Sequence, residues 1–221
     1  SNSHFAGDYL RKNSPAYLGD LIASLTGMQH RNLSSLRQRL FDEAPAPAES
    51  RQSPPTDLRG EAHWKRSMPG LAAYQKAGAA SSLARLIAAL PGAAQFASML
   101  DLGCGPGITA LYVAGMLPRL HVTLCDFAPV LDMARTEAET LGLSGRVCLK
   151  PGDFNVCDLG LGYDLVWACQ SLYYASDLHA FMKKIHRALR PGGLFVSVHE
   201  GVREGIAPAE LVLSRLSLAM E

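Results

Sequence analysis

The stretch LDLGCGPGITALYVA, residues 100–114, sets Gly103, Gly105 and Gly107 at alternating positions between an apolar run and a helix-like segment. A turn of this kind brings bare backbone N–H groups close to a ligand, most often a phosphate. Three features argue for something else. Ile108 stands where the dinucleotide fingerprint has its last glycine. Pro106 removes one N–H from the turn, and Asp101 sets a carboxylate just before it, where an anion would be repelled. The surroundings favour a cation or a neutral group. Further along, VTLCDFAPV carries Asp126 followed by Phe127, and an acid there can accept both hydroxyls of a ribose, a feature that suits a nicotinamide dinucleotide equally well. PGDFNV then offers Asp153 as acceptor for an exocyclic amino group and Phe154 as a surface for a flat base.

The elements that must position these residues follow from periodicity. After Pro91, short apolar runs alternate with amphipathic segments, predicting strands at Ser98–Leu102, His121–Cys125, Arg146–Lys150, Asp164–Ala168 and Leu194–Val198. Between them, Pro129–Leu141 reads as a helix with proline in its first turn and Gly142 as its stop. Asp177–Leu189 reads as a helix capped by Ser176 and closed by Pro191-Gly192-Gly193. Strands and helices in this alternation predict an α/β fold, a doubly wound, mostly parallel, Rossmann-like sheet with its ligand at the carboxyl ends of the strands. Three carboxylates at three successive strand ends, with no lysine or arginine among them, describe a site for a positively charged nucleoside without phosphates. S-adenosylmethionine, with an ammonium, a sulfonium, a ribose and an adenine, has that inventory.

The segment ahead of this sheet is helical in pattern. A helix is expected within residues 5–41, with Ser14-Pro15 at its start and Leu18, Leu21, Ile22 and Leu25 on one face, and a second around Leu33, Leu36 and Leu40. The proline-rich, charged stretch at residues 42–60 reads as a linker, so the expected division is 1–60 for an N-terminal helical segment and 61–221 for the cofactor domain. Residues 61–90 are helical again, with Trp64 and Met68 four apart on one face.

Of the 221 residues, 48% are hydrophobic and the net charge is +1, which suits a globular protein and provides no basic block for nucleic acid. No apolar run reaches the roughly 18 residues of a membrane span. The five cysteines form no C-x-x-C pair and no histidine has a metal spacing, so no metal is expected, and a reduced cytoplasm fits best. No signal-peptide pattern opens the chain.

In their order, LDLGCGPG, CDF, GDF, YDLVWACQSLYYASD and LRPGGLFVSVHE resemble the successive motifs of the class I S-adenosylmethionine-dependent methyltransferases, over about residues 98–200. More narrowly, the chain resembles the small-molecule O-methyltransferases of the plant phenolic and bacterial polyketide type. That resemblance implies the methionine moiety at Gly103 to Gly107, the ribose at Asp126 beside Phe127, and the adenine at Asp153 and Phe154. It puts Cys169 where the family has a polar or basic residue near the cofactor. Trp64 and Met68 would face the acceptor, with Tyr174. The N-terminal helices would form a homodimer. The family's catalytic histidine falls at Tyr173, a departure, because a phenol with an ordinary pKa of about 10 is a poor base.

Several chemistries are consistent with this. Tyr173 or Tyr174 can shape the pocket while His199 or Glu200 takes a proton, or the acceptor can be acidic enough to need no base, or be a carbon or nitrogen nucleophile. Plainer readings stand beside each assignment: Asp126 as a helix cap, Phe154, Trp64 and Met68 as packing, Cys169 as a small buried hydrophobe. The leading expectation is a methyltransferase acting on a small, aromatic or polyketide-like acceptor. A binding protein without transfer activity and an NAD-dependent oxidoreductase are the rivals. After the fifth strand the sequence supplies one more helix-like stretch, Pro208–Met220, where the family has two further strands, so truncation or a covering partner is expected.

Overall fold

The structure, a computed structural model, describes residues 3–14, 16–19, 21–23, 26 and 61–199. Five strands, β1 (Ser98–Leu102), β2 (His121–Asp126), β3 (Val147–Pro151), β4 (Tyr163–Cys169) and β5 (Leu189–Val198), form one sheet. All pairs are parallel and the order is β3-β2-β1-β4-β5. The chain winds outward from β1 to β3 and then crosses back to β4. The switch point, and with it the crevice for a ligand, therefore lies between β1 and β4. Side chains alternate across the sheet. Met99, Leu124, Leu165 and Trp167 fill one face, while Leu100, Leu102, Val166 and Ala168 fill the other with Phe181 and Ile185.

Helices cover both faces, which is why the central strands read as unbroken apolar runs. The N-terminal α1 (His4–Tyr9) is capped by the Ser3 hydroxyl, which accepts from the Ala6 N–H. The expected helix does not start at Ser14. Its hydroxyl accepts from the Ala16 N–H at 3.2 Å inside a turn, and helical bonding resumes only with Ile22 N–H to Leu18 O at 2.9 Å. Leu25, the helix around Leu33, Leu36 and Leu40, the linker, Glu200 and Pro208–Met220 lie outside the described residues.

The expected helical region at 61–90 is divided into α2 (Glu61–Tyr74), a π-helical turn (Gln75–Ala79) and α3 (Ala80–Ala88), the break falling at Gly78, whose φ of 137° no helix accommodates. The sheet helices are α4 (Ile108–Met116), α5 (Ala128–Thr140) and α6 (Leu178–Ala188). α5 begins with Pro129 in its first turn and buries Val130, Leu131, Ala134 and Ala138. Its cap is not Ser176's counterpart but a residue without a side-chain bond, Phe127, whereas α6 is capped by Asp177, whose Oδ1 accepts from the Ala180 N–H at 3.0 Å. Ser176, the cap expected from sequence, uses its N–H elsewhere. No helix among the described residues is long and apolar enough to cross a membrane.

Two features lock the foot of the sheet, away from the crevice. β5 starts at Leu189, ahead of the expected Leu194, because Pro191-Gly192-Gly193 runs inside the strand as an irregularity: Tyr163 pairs with Leu189 but Leu165 with Leu194. A Cβ on Gly193 would stand 2.7 Å from the Tyr163 carbonyl oxygen, so the crossing needs glycine. Beside it, the buried Asp164 accepts from the Ala97 N–H at 2.8 Å, the Ser98 N–H at 2.9 Å and Arg190 Nε. Burial pushes the Asp164 carboxyl up, but these donors outweigh it and hold the group below the usual carboxylate range.

Candidate functional site

The glycine turn leaves β1 at the switch point. Gly103 and Cys104 donate their N–H groups to the Cys125 carbonyl at 2.9 and 3.2 Å, which ties the turn to the end of β2. Gly103 and Gly107 have φ of +66° and +71°, the left-handed region. Space closes in as well. A Cβ on Gly103 would meet Ser171 Cβ at 2.8 Å, and one on Gly107 would meet Leu124 Cδ1 at 2.8 Å. Asp126, the last residue of β2, accepts from the Gly105 N–H at 2.8 Å with Oδ2 and from the Phe127 N–H at 2.7 Å with Oδ1. The carboxylate expected to receive a ribose also shapes the turn. Each of its oxygens keeps a second lone pair for a hydroxyl donor.

Two acids are buried together here. Asp101 is 3% exposed, and burial followed by the nearby Asp126 charge pushes its carboxyl up to about 8. Burial also raises the Asp126 carboxyl, against the opposing pull of the Gly105 and Phe127 N–H groups. No cation acts on either one among the described residues. Cys169, at the end of β4, feels the same field: burial and then Asp101 push its thiol up to about 11, so it faces the crevice side of the sheet as a neutral group.

Asp153 lies just past β3, where its Oδ1 accepts from both the backbone N–H and the side-chain Nδ2 of Asn155, each at 2.8 Å. Phe154 serves two surroundings. Its ring tilts against Phe181 with centroids 5.1 Å apart, and its Cε1 lies 3.4 Å from the position a Cβ on Gly103 would take. It is thus part core and part border of the glycine turn.

Beyond the end of β4, three separate elements supply one chain of rings. Trp64 of α2 meets Tyr174 edge-on at 5.3 Å, Tyr174 lies 4.4 Å from Tyr173, and Tyr173 meets His199 at 6.0 Å. Tyr173 and Tyr174 ride on a 3₁₀ turn, Leu172–Tyr174, and His199 follows the last residue of β5. Tyr173 is 61% exposed. Neither ring nitrogen of His199 has a hydrogen-bond partner among the described residues, and burial pushes its imidazole pKa down. Met68 parts company with Trp64. It is buried against the glycine turn, its sulfur 3.7 Å from where a Cβ on Gly105 would lie, with Leu71 at 3.1 Å.

Sequence reasoning did not pick out four residues that hold the site. Ser171 is buried and donates to the Leu102 carbonyl at 2.7 Å, fastening the turn after β4 to β1. Gln170 adopts φ of 54°, a conformation rare outside glycine, at the mouth of the crevice. Asn155 and Lys184 brace the Asp153 turn, Lys184 Nζ donating to the carbonyls of Phe154 at 2.8 Å and Asn155 at 3.2 Å. The only advance signal was Asn155 two places after an aspartate, an Asx-turn spacing. A groove of about 570 Å³ between α6 and residues 155–161 lies behind this turn, and neither Asp101, Asp126 and Asp153 nor the rings of Trp64, Tyr173, Tyr174 and His199 line it.

Residues 100–195 match a family model described as a methyltransferase domain. The chain is 35% identical over 121 residues to the biotin biosynthesis bifunctional protein BioCD of Bordetella avium, covering 55% of this chain and 25% of that protein. It is 32% identical over 126 residues to the ubiquinone biosynthesis O-methyltransferase of a Methylobacterium species, covering 54% and 49%. The match thus spans half or less of the length of these relatives. Human N-acetylserotonin methyltransferase, solved in complex with S-adenosylmethionine, superposes with a TM-score of 0.74 over 98% of this chain and 63% of its own, at 20% identity, a likeness of fold. Sheet order, glycine turn and the match over residues 100–195 agree on a Rossmann-like fold of the methyltransferase type for this part of the chain.

Proposed function

We propose that the chain binds S-adenosylmethionine at the β1/β4 crevice and methylates an oxygen of a small, aromatic or polyketide-like acceptor. The observation that carries this reading is the buried Asp101 and Asp126 pair beside the left-handed glycine turn, with no cation acting on it among the described residues. Such a site stabilises a cationic ligand and repels a diphosphate. The names of the relatives, ubiquinone biosynthesis O-methyltransferase and N-acetylserotonin methyltransferase, support a small acceptor.

In this reading, the glycine turn from Gly103 to Gly107 holds the methionine moiety, with Asp101 behind it. Asp126 receives the ribose hydroxyls with Phe127 alongside, and Asp153 and Phe154 hold the adenine, while neutral Cys169 borders the cofactor. S-adenosylmethionine, when bound, supplies a methyl group already activated on a sulfonium. Alignment of the acceptor then provides much of the acceleration. Trp64 and Tyr174 present ring surfaces to a flat acceptor, and Met68 acts by packing the glycine turn into shape. His199 holds the acceptor proton. Its lowered pKa keeps the imidazole neutral and able to accept near neutral pH, and Tyr173 orients it through the edge contact. The reading includes a division at residue 60, a homodimer through the N-terminal helices and a cytoplasmic location, the last supported by five free thiols.

Calorimetric titration with S-adenosylmethionine tests the core of it. Asp126→Ala is expected to weaken binding by about 10-fold or more, the worth of a hydrogen bond to a charged group. Equal affinity in the two proteins would remove the ribose assignment.

A further inference from the structure

The Asn155 side chain joins the turn assigned to the adenine with the turn that carries the aromatic rings. Its Nδ2 donates to Asp153 Oδ1 at 2.8 Å and to the Tyr174 carbonyl at 3.2 Å. Its Oδ1 accepts from the Ser176 N–H at 2.9 Å. Both amide hydrogens and the carbonyl oxygen are therefore committed, one hydrogen to the β3 side and the remaining two bonds to the β4 side. Lys184 fastens the same turn from α6 through the Phe154 and Asn155 carbonyls. With its backbone held by Lys184 and its amide saturated, Asn155 has little freedom to adjust one contact without changing another.

We propose that Asn155 is a positioning residue through which the bound cofactor orders the acceptor side of the site. The inference rests on the reading above that the adenine engages Asp153. Among the described residues Asp153 spends Oδ1 on Asn155, which leaves Oδ2 for an amino donor. A ligand that fixes the Asp153 carboxylate restricts the Asn155 amide, and this restricts the backbone from Tyr174 to Ser176 and the rings of Tyr173 and Tyr174 next to it. By linkage the effect is reciprocal: an ordered ring turn raises affinity for the cofactor by the same factor. Tyr173 and Tyr174 then settle into place only after the cofactor arrives, which favours cofactor-first binding.

Hydrogen exchange resolved by mass spectrometry reads this without knowledge of the acceptor. The probes are the amides of Tyr174 and Ala175, bonded to the Ser171 and Leu172 carbonyls within the 3₁₀ turn. In the parent protein, saturating S-adenosylmethionine is expected to slow their exchange by about 5-fold or more, the lower end of ordinary coupling between sites. In Asn155→Ala at saturation the slowing should shrink to less than about 2-fold, while the glycine turn stays protected. Asn155→Asp, which keeps an acceptor for Ser176 but loses both donors, should behave the same way. Unchanged exchange of the β1 and β4 amides certifies that each variant is folded. Full slowing of the ring turn in both variants would overturn the proposal, as would protection of the glycine turn alone in the parent. No protection anywhere in the parent removes the cofactor reading itself, and the coupling with it.

Discussion

Replacing Asp101 by asparagine tests the electrostatic premise through stability. Burial and the Asp126 charge put the Asp101 carboxyl at about 8 in the folded protein, against about 3.9 in an unfolded chain. A folded-state value raised above the unfolded one means that the native protein retains a proton the unfolded chain has lost. The stability that goes with it is fully present below about pH 4 and is lost as pH rises through about 8. At ~1.4 kcal/mol for each pH unit, the ionised carboxylate costs ~5 kcal/mol once pH passes that range, and ~2 kcal/mol of this falls between about pH 6.5 and about pH 8.5. His199 has the opposite sign, since its pKa is depressed on folding and its contribution is lost as pH falls. Comparing parent with Asp101→Asn cancels that background. Urea denaturation at the two pH values should show the parent losing ~2 kcal/mol more than the variant. Parallel profiles would refute the buried-carboxylate argument. A second reading comes from binding: a cationic ligand draws Asp101 into its ionised form, so titration with S-adenosylmethionine near neutrality should release a proton in the parent. The apparent binding heat then varies with the ionisation enthalpy of the buffer, less so in the variant.

Gly107→Ala places a methyl 2.8 Å from Leu124 Cδ1 at a φ of +71°, and thermal unfolding should show a loss of about 1–3 kcal/mol; an unchanged midpoint would mean the turn is less constrained than described. With a phenolic acceptor that turns over, His199→Gln is expected to lower kcat by about 100-fold and leave cofactor affinity within about 2-fold, while Tyr173→Phe lowers kcat by less than about 10-fold. The reverse ranking would move the base to Tyr173.

Local pattern carried the sheet well. β1 has its expected bounds, and β2, β3 and β4 each differ by only a residue at their ends, because a buried parallel strand is announced by its own apolar run. The start of β5 was illegible for a physical reason: Pro191-Gly192-Gly193 ordinarily ends structure, and only the close approach of Gly193 to the Tyr163 carbonyl, far away in sequence, lets a strand absorb it. Ser176 is the cap the sequence suggests for α6, but Asp177, one residue further on, accepts from the Ala180 N–H and takes that place. The carboxylates could be named from spacing alone. What could not be read was that Asp126 also holds the Gly105 N–H, or that Met68 leaves Trp64 to pack on the glycine turn, since each depends on contacts that only the closed fold creates.

The two ends of the sheet are built to different tolerances. At the foot, Asp164 gathers the start of β1, the start of β4 and Arg190 of β5 into one satisfied cluster. At the other end, Asp101 of β1 and Asp126 of β2 are buried side by side, and among the described residues Asp101 has no comparable set of donors to hold a charge. A sheet riveted at one margin and loaded with buried acid at the other keeps its electrostatic slack in one place, above the last rungs of the ladder. A positively charged guest relieves at that margin what folding alone leaves uncompensated, and the riveted end has no need to move.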